Sequence, residues 1–251
     1  MIPIEQYYAN LQRINKYFLS NGSKDLSELA RLRGWGEDSQ EELDFLVDYG
    51  VRWISSDFDY GPLKQFEGYG LFSESGYFLM TERFVIPIKD LLGNVISWTG
   101  WYPDDRKYIT VGTKLFSRPL LLFGLEQMPC EGYLVVCEGI FDALRLRGIG
   151  IPAVSLMGVD MSMVQRRLCN LSDGVIMIPD NDKIGRKVIR EDAWKVGQNG
   201  KYLSWKGLDS GMDGVLIKDL DMLNNVFDKE SVKAIIAEGK NSSAKRVVNI
   251  V

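Results

Sequence analysis

From residue 133 onward, short apolar runs alternate with stretches whose apolar residues recur at helical spacing, and this alternation restricts the possible folds more than any other feature. The runs that predict β-strands are Tyr133–Cys137, Val154–Leu156, Val175–Ile178 and Lys201–Trp205. The stretches that predict helices are Asp142–Arg147, Met161–Leu171, Gly185–Gly197 and Glu230–Glu238. Strands separated by helices pair in parallel, because the helix returns the chain to the same edge of the sheet. We therefore expect a mostly parallel sheet flanked by helices.

Carboxylates follow the predicted strands at the points where parallel sheets bind ligands. Glu138 comes directly after the first strand, and Asp180 and Asp182 come after the third. Asp219 and Asp221 repeat the Asp-x-Asp spacing further along the chain. Each motif alone is typical of a turn or a solvated surface, but together they can converge on one sheet edge. Clustered carboxylates repel one another unless cations neutralise them, and this favours bound Mg²⁺ or Mn²⁺.

The composition excludes several kinds of site. The 251 residues contain no histidine, so Ser-His-Asp and Cys-His nucleophilic sites and histidine-ligated metals are ruled out. Cys130, Cys137 and Cys169 are too few for an all-cysteine zinc site and too sparse for a disulfide framework. We expect reduced thiols, a cytoplasmic protein and no zinc in this chain.

The charge balance and the hydropathy pattern restrict the partners. Thirty basic and thirty-four acidic residues give a net charge of −4, which disfavours a globally cationic surface but allows a local basic groove. The first residues lack a basic segment followed by an apolar one, and no apolar run approaches the roughly 20 residues that cross a bilayer. We expect neither export nor a membrane partner.

The residues before 129 predict a helical lead-in and a smaller β-rich region. Helical spacing covers Ile4–Leu19, Asp25–Gly34 and Ser39–Tyr49. Strand-like runs are Tyr77–Leu79, Arg83–Ile88, Val95–Trp101 and Tyr108–Val111. The fold class is therefore α/β, or α+β overall. The predicted parts are a helical region at 1–60, a mixed α/β subdomain at 61–128, the parallel-sheet domain at 129–225, and a C-terminal helix and tail at 226–251.

The acidic segments resemble the signatures of the TOPRIM domain. Glu138-Gly-Ile-Phe-Asp142 resembles its Glu-Gly-x-x-Asp motif, and Asp180-Asn-Asp182-Lys-Ile-Gly185 resembles its Asp-x-Asp-x-x-Gly motif. Between them, Ser155-Leu-Met-Gly158 resembles the Ser-Leu-Gly turn that ends the second TOPRIM strand. Asp219-Leu-Asp221 resembles the Asp-Pro-Asp motif of bacterial-type DNA primases, with leucine in place of proline.

The upstream residues select one branch of that superfamily. The stretch from Arg83 to Ile96 resembles the segment that opens the RNA-polymerase core of bacterial, DnaG-like primases. Lys107-Tyr108 and the run from Phe116 to Leu125 resemble the Lys-Tyr, Phe-x-Lys and Leu-Tyr-Gly-Leu motifs of the same core. The resemblance extends from about residue 30 to residue 225.

This resemblance implies synthesis of short RNA primers on single-stranded DNA from NTPs, by metal-dependent phosphoryl transfer. The implied catalytic residues are Glu138, Asp180 and Asp182, which would also bind the metal, with Asp219 and Asp221 as further ligands. The implied residues for binding nucleic acid and nucleotide are Arg83, Lys107, Lys114 and Arg118. Trp101 is the best candidate for stacking on a base, because Trp98 and Tyr102 lie on the opposite face of the predicted strand.

Two departures from the family leave other functions open. The zinc-ribbon and helicase-binding domains of the family have no counterpart in this sequence, and Trp101 stands where the family carries an arginine. A short, bacteriophage-encoded core acting in the host cytoplasm fits this pattern, with a replicative helicase and a separate zinc-ribbon protein as partners. The alternatives are a TOPRIM nuclease and a non-catalytic protein that binds replication forks.

Overall fold

The computed structural model describes residues 2–36, 39–128, 132–185, 200–203, 205 and 217–241. These residues form two compact units. Unit 1 contains the described residues up to 33 and those from 39 to 117. Unit 2 contains residues 34–36 and the described residues from 118 onward. No helix in the described ranges is long and apolar enough to cross a membrane.

The helices of unit 1 form where apolar residues recur at helical spacing. They are α1 (Ile4–Asn21), α2 (Ser27–Arg33) and α3 (Gln40–Tyr49). One stripe of α1 faces the core and buries Tyr7, Leu11, Ile14 and Phe18. Helix α3 ends at Gly50, whose φ of 112° lies in the left-handed region that glycine adopts without strain. A 3₁₀ helix at Gly61–Tyr69, which the sequence did not predict, follows later in the chain.

Unit 1 also contains an antiparallel sheet in the order β1–β2–β3–β4. Its strands are β1 (Arg52–Ile54), β2 (Arg83–Lys89), β3 (Val95–Tyr102) and β4 (Lys107–Thr110). The predicted strand at Tyr77–Leu79 is wrong, because Phe78 forms an isolated bridge to Phe72 instead. Strand β1 was not predicted, since three residues are too few to show an alternating pattern.

The sheet of unit 1 has little exposed surface on β3. Trp98 is fully buried and packs edge-on against Phe18 of α1, with the ring centroids 5.6 Å apart. Trp101 is 1% exposed and packs against Phe84 on β2. The prediction that Trp101 stacks on a base is therefore wrong, because both faces of this strand are covered. Tyr102, at the end of the strand, is partly exposed instead.

Unit 2 contains the predicted parallel sheet. Its strands are β5 (Tyr133–Cys137), β6 (Ala153–Ser155), β7 (Gly174–Ile178) and β8 (Gly200–Tyr202). They lie in the order β6–β5–β7–β8, and each neighbouring pair is parallel. Strands β5 and β7 are adjacent, with Cys137 opposite Ile178, so both strands end at the same level. This register confirms the parallel α/β arrangement.

Four helices accompany this sheet in the described part of unit 2. They are α4 (Ile140–Gly148), α5 (Met163–Cys169), α6 (Leu220–Val226) and α7 (Lys229–Asn241). Helix α4 begins three residues after Cys137, the last residue of β5, and α5 lies between β6 and β7 in the chain. The predicted helix Gly185–Gly197 lies outside the described residues except for its first position, and so does Cys130. Cys137 and Cys169 are buried free thiols.

Candidate active site

Glu138 and Asp180 meet at the carboxyl edge of the parallel sheet. Glu138 follows β5, and Asp180 lies two residues after the end of β7. The Glu138 carboxylate accepts a hydrogen bond from the backbone N–H of Asp180, with Oε1 and N 3.1 Å apart. The two residues are 42 positions apart in sequence and are joined because their strands are neighbours in register. The sheet therefore brings the backbone of Asp180 to the carboxylate of Glu138.

Asp182 contributes a second negative charge close to Glu138. It is exposed, and its Oδ1 accepts a hydrogen bond from the backbone N–H of Gly185 at 2.7 Å, which closes the turn after Asp180. Gly185 packs directly on the backbone of Asp180, where a Cβ atom would overlap the carbonyl oxygen. The glycine of the Asp-x-Asp-x-x-Gly motif is therefore required by close packing against the first aspartate.

The electrostatics of Glu138 are those of a partly desolvated carboxylate beside another anion. Partial burial is the largest influence and raises the pKa of Glu138 above its ordinary value, and the negative charge of Asp182 raises it further. The hydrogen bond from the Asp180 N–H acts in the opposite direction and favours the charged form. Glu138 is thus held in a place where its charge is costly, which is typical of a functional carboxylate rather than of a solvated surface residue.

Asn181 connects this pair to the third acidic segment. It is 4% exposed, its backbone N–H donates to the carbonyl oxygen of Lys218 at 2.6 Å, and its side-chain amide donates to that of Ile217 at 2.8 Å. Asn181 is a site residue that the acidic motifs did not predict, although its place between two aspartates is a usable signal. Asp219, one residue beyond Lys218, caps α6 by accepting the Met222 N–H at 2.8 Å.

Asp221 occupies a different environment from the other carboxylates. It is 4% exposed and forms a buried ion pair with Arg145 of α4, with Oδ1 and Nη1 3.0 Å apart. The same Oδ1 accepts a hydrogen bond from the indole N–H of Trp35 at 2.7 Å. The backbone N–H of Asp221 donates to Oδ1 of Asp142 at 3.1 Å. Asp221, predicted as a metal ligand, thus has its carboxylate engaged by a cation and an indole.

Ser155 joins the ends of β5 and β6. Its hydroxyl is fully buried, donates to the carbonyl oxygen of Glu138 at 2.7 Å and accepts the N–H of Met157 at 2.9 Å. Met157 has a φ of 55°, so the hydroxyl stabilises a strained turn. The next residue, Gly158, packs against the guanidinium of Arg118, which a Cβ atom would displace. Arg118 therefore lies at the end of β6, the neighbour of the strand that carries Glu138.

The other predicted nucleic-acid residues lie in unit 1. Arg83 packs across Gly100 on β3, where its Cδ would lie 2.7 Å from a Cβ atom, and its guanidinium lies over the ring of Tyr102, 4.8 Å from the centroid. Lys107 is largely exposed and pairs with Asp105 at 3.1 Å. Lys114 is exposed, with its ammonium 5.7 Å from the ring centroid of Tyr7.

The coordination shell of a bound metal ion would have to be completed by movement of the carboxylates or by oxygen atoms of the substrate. Within the described residues, no group of three or more histidine, cysteine, aspartate or glutamate side chains is arranged to hold a metal. The available donors, Glu138, Asp180 and Asp182, are hard oxygen ligands, which suit Mg²⁺ or Mn²⁺. Both ions often take part of their coordination from water and phosphate oxygens, so two or three carboxylates are a fitting donor set.

Comparisons of the sequence with known proteins lead to one group. Residues 135–213 match the family model described as Toprim-like. The chain is 29% identical over 178 residues to the DNA primase of Thermotoga maritima, covering 65% of this chain and 32% of that protein. It is 30% identical over 205 residues to the DNA primase of Borreliella burgdorferi, covering 71% of this chain and 38% of that protein. The chain thus spans between about a third and two fifths of the length of these two relatives.

Comparisons of the structure lead to the same group. A DnaG catalytic core superposes with a TM-score of 0.71 at 20% identity, covering 92% of this chain and 79% of that one. A DnaG primase catalytic domain solved with single-stranded DNA superposes with a TM-score of 0.64 at 21% identity, covering 92% and 78%. The chain has the fold of the DnaG catalytic core, carries a Toprim-like domain and is similar in sequence to bacterial DNA primases.

Proposed function

We propose that this chain is the catalytic core of a DNA primase, which joins ribonucleotides into a short RNA primer on single-stranded DNA. The observation that carries the proposal is the hydrogen bond between Glu138 and Asp180 at the carboxyl edge of the parallel sheet. Partly buried carboxylates follow the strands where a parallel sheet binds its ligands, and the chain has no histidine for a Ser-His-Asp or Cys-His site.

Primer synthesis forms one bond and breaks another at the same phosphorus. The 3′-oxygen of the first nucleotide bonds to the α-phosphorus of the second, the bond from that phosphorus to the bridging oxygen breaks, and pyrophosphate leaves. Bound Mg²⁺ or Mn²⁺ would lower the pKa of the 3′-hydroxyl and neutralise charge on the phosphates. Glu138, Asp180 and Asp182 would hold the metal, and Asp219, which caps α6, is a further candidate ligand.

Each group of cations has a separate role in the proposal. Arg118, packed on Gly158 at the end of the neighbouring strand, would bind the triphosphate of the incoming nucleotide. In unit 1, Arg83, Lys107 and Lys114 would bind template phosphates, and the partly exposed Tyr102 beneath the Arg83 guanidinium offers a surface for a base. A replicative helicase and a separate zinc-ribbon protein are the proposed protein partners.

One gel assay tests the proposal. The protein is incubated with labelled single-stranded DNA, NTPs and Mg²⁺ or Mn²⁺, with and without a helicase and a zinc-ribbon protein, and new RNA and template fragments are resolved together. We expect template-dependent RNA that is lost in Glu138→Gln and Asp180→Asn. The matched control is Asp173→Asn, which precedes β7 at the opposite edge of the same sheet and should retain synthesis. Cleaved template would instead indicate a nuclease, and neither product under any condition would indicate a non-catalytic protein.

A further inference from the structure

Trp35 contacts a carboxylate of unit 2 that is distant from it in sequence. It belongs to a three-residue segment, 34–36, that unit 2 takes from the N-terminal part of the chain. Its side chain is 7% exposed, and its indole N–H donates to Oδ1 of Asp221, 186 positions later, at 2.7 Å. The guanidinium of Arg145 lies over the indole ring, 4.8 Å from the centroid. Tryptophan is suited to this place because it provides both a ring for a cation and a donor for a carboxylate.

The Trp35 contact leads through two hydrogen bonds to Asp142, which packs beside the residue that follows Glu138. Asp221 accepts from Trp35 and Arg145, and its own backbone N–H donates to Oδ1 of Asp142 at 3.1 Å. The other oxygen of Asp142 lies against Gly139, in the place that a Cβ atom would fill. Gly139 directly follows Glu138, so the position of Asp142 limits the path of the chain at Glu138.

The same network holds α6 in place. Arg145 donates through Nη1 to the backbone oxygen of Asp221 at 2.9 Å and to the side-chain oxygen of Asn225, and through Nη2 to the backbone oxygen of Asn224 at 3.2 Å. Helix α6 begins at Leu220, directly after Asp219. The network therefore reaches both ends of the proposed metal site, through Gly139 on one side and through α6 on the other.

We infer that Trp35 is a positioning residue for the carboxylate site: through Asp221 and Asp142 it fixes where Glu138 and Asp219 stand. The inference rests on the proposed metal-dependent function. Asp221 then acts as the central acceptor of the network rather than as a metal ligand. Trp35 contacts Asp221 and Arg145, so it would act on how tightly the site binds a divalent ion by way of these two residues.

Mn²⁺ binding to the full chain tests this inference, measured from the electron paramagnetic resonance signal of free Mn²⁺ during a titration. Trp35→Phe keeps the ring beneath Arg145 and removes the N–H donor. We expect Mn²⁺ to bind about tenfold more weakly, at the lower end of the loss caused by removing outer partners of metal ligands. Asn225→Ala, at the exposed end of the same network, is a second and milder variant, and it should weaken binding in the same direction.

Trp98→Phe is the matched control, because Trp98 is also buried and donates its indole N–H to Asn15 at 3.2 Å, but in unit 1. Thermal melts should show similar losses of stability for the two tryptophan variants, while only Trp35→Phe weakens Mn²⁺ binding. Unchanged binding in folded Trp35→Phe or Asn225→Ala, beside lost binding in Glu138→Gln, would overturn this inference alone. A wild-type chain that binds no Mn²⁺ would overturn the proposed function as well.

Discussion

The Glu138 carboxylate and the Asp180 backbone N–H lie 3.1 Å apart, across two neighbouring strands. The contact orients a carboxylate that the surrounding protein otherwise disfavours, because partial burial and the charge of Asp182 both raise its pKa. The charge of Glu138 should therefore lower the free energy of unfolding, and the size of this effect can be measured by neutralising the carboxylate.

Glu138→Gln should abolish primer synthesis without lowering the melting temperature. The amide of glutamine retains an oxygen that can accept the Asp180 N–H, while the desolvated charge beside Asp182 is removed. The measurement is a thermal melt in EDTA beside the gel assay, with Asp173→Asn as the control. A large fall in melting temperature would show that the charge of Glu138 stabilises the fold, contrary to this prediction.

The pH dependence of stability should have a definite sign at Glu138. A carboxyl whose folded pKa is raised stabilises the protein fully below its unfolded value of 4.5, and this contribution is lost as the pH rises through the folded pKa. The unfolding free energy of the wild type minus that of Glu138→Gln should therefore fall as the pH rises above 4.5. Urea unfolding of the metal-free proteins at a series of pH values measures it, and a difference that rises with pH would contradict the prediction.

Gly185→Ala should damage both the fold and the activity. The added Cβ atom would overlap the carbonyl oxygen of Asp180, so the backbone that carries this carboxylate must move. We expect a loss of about 1–3 kcal/mol in unfolding free energy, as overpacking causes, and a loss of activity of about 100-fold. Gly112→Ala is the control, because a Cβ atom there has no neighbour within 4 Å. Equal behaviour of the two variants would show that the Asp180 turn tolerates displacement.

The sequence predicts the parallel sheet and the place of its carboxylates because both depend on local pattern. Strands β5 and β7 are continuous apolar runs whose ends are marked by charged residues, and parallel pairing then brings Glu138 to Asp180 without further information. The glycine of the motif at 185 is explained in the same way, by its contact with a residue five positions earlier. These are short-range relations, or relations that the sheet topology fixes.

The features that the sequence did not predict depend on long-range packing. Nothing near Trp35 indicates that its indole reaches Asp221, and nothing near Asp221 distinguishes it from Asp219, since the Asp-x-Asp spacing is the same as at 180–182. Trp101 was expected on an open face, but the alternation of a strand does not reveal whether other elements cover both faces. Burial of this kind is set by tertiary contacts rather than by residue order.

Ser155→Ala should weaken binding of the incoming nucleotide more than it weakens the fold. The hydroxyl joins the Glu138 carbonyl to the Met157 N–H, and Gly158, one residue later, holds Arg118. Loss of the hydroxyl leaves the partly buried N–H of Met157 without its acceptor, which costs about 1–3 kcal/mol of unfolding free energy. The turn that positions Arg118 is then held less firmly.

The measurement for Ser155→Ala is the KM for NTPs in the gel assay, which should rise while the affinity for single-stranded DNA is unchanged. Ser172→Ala is the control: Ser172 also donates to backbone carbonyls, those of Cys169 and Gly174, but it precedes β7 at the other edge of the sheet. A KM that rises equally in both variants would assign the effect to general loosening of unit 2.

Removing one partner of the ion pair between Arg147 and Glu126 should destabilise the fold more than removing both charges. Nη2 of Arg147 and Oε1 of Glu126 lie 3.0 Å apart, and their side chains are 3% and 7% exposed. Arg147→Met leaves a buried carboxylate without its cation and should cost about 3–5 kcal/mol of unfolding free energy. The double variant Arg147→Met with Glu126→Gln removes both charges and should recover a large part of that loss.

Lys233→Met is the control, because its pair with Glu230 is largely exposed and should contribute less than about 1 kcal/mol. Urea unfolding of the wild type, the single variants Arg147→Met, Glu126→Gln and Lys233→Met, and the double variant measures each cost. Additive losses in the double variant would mean that the two buried charges do not stabilise each other.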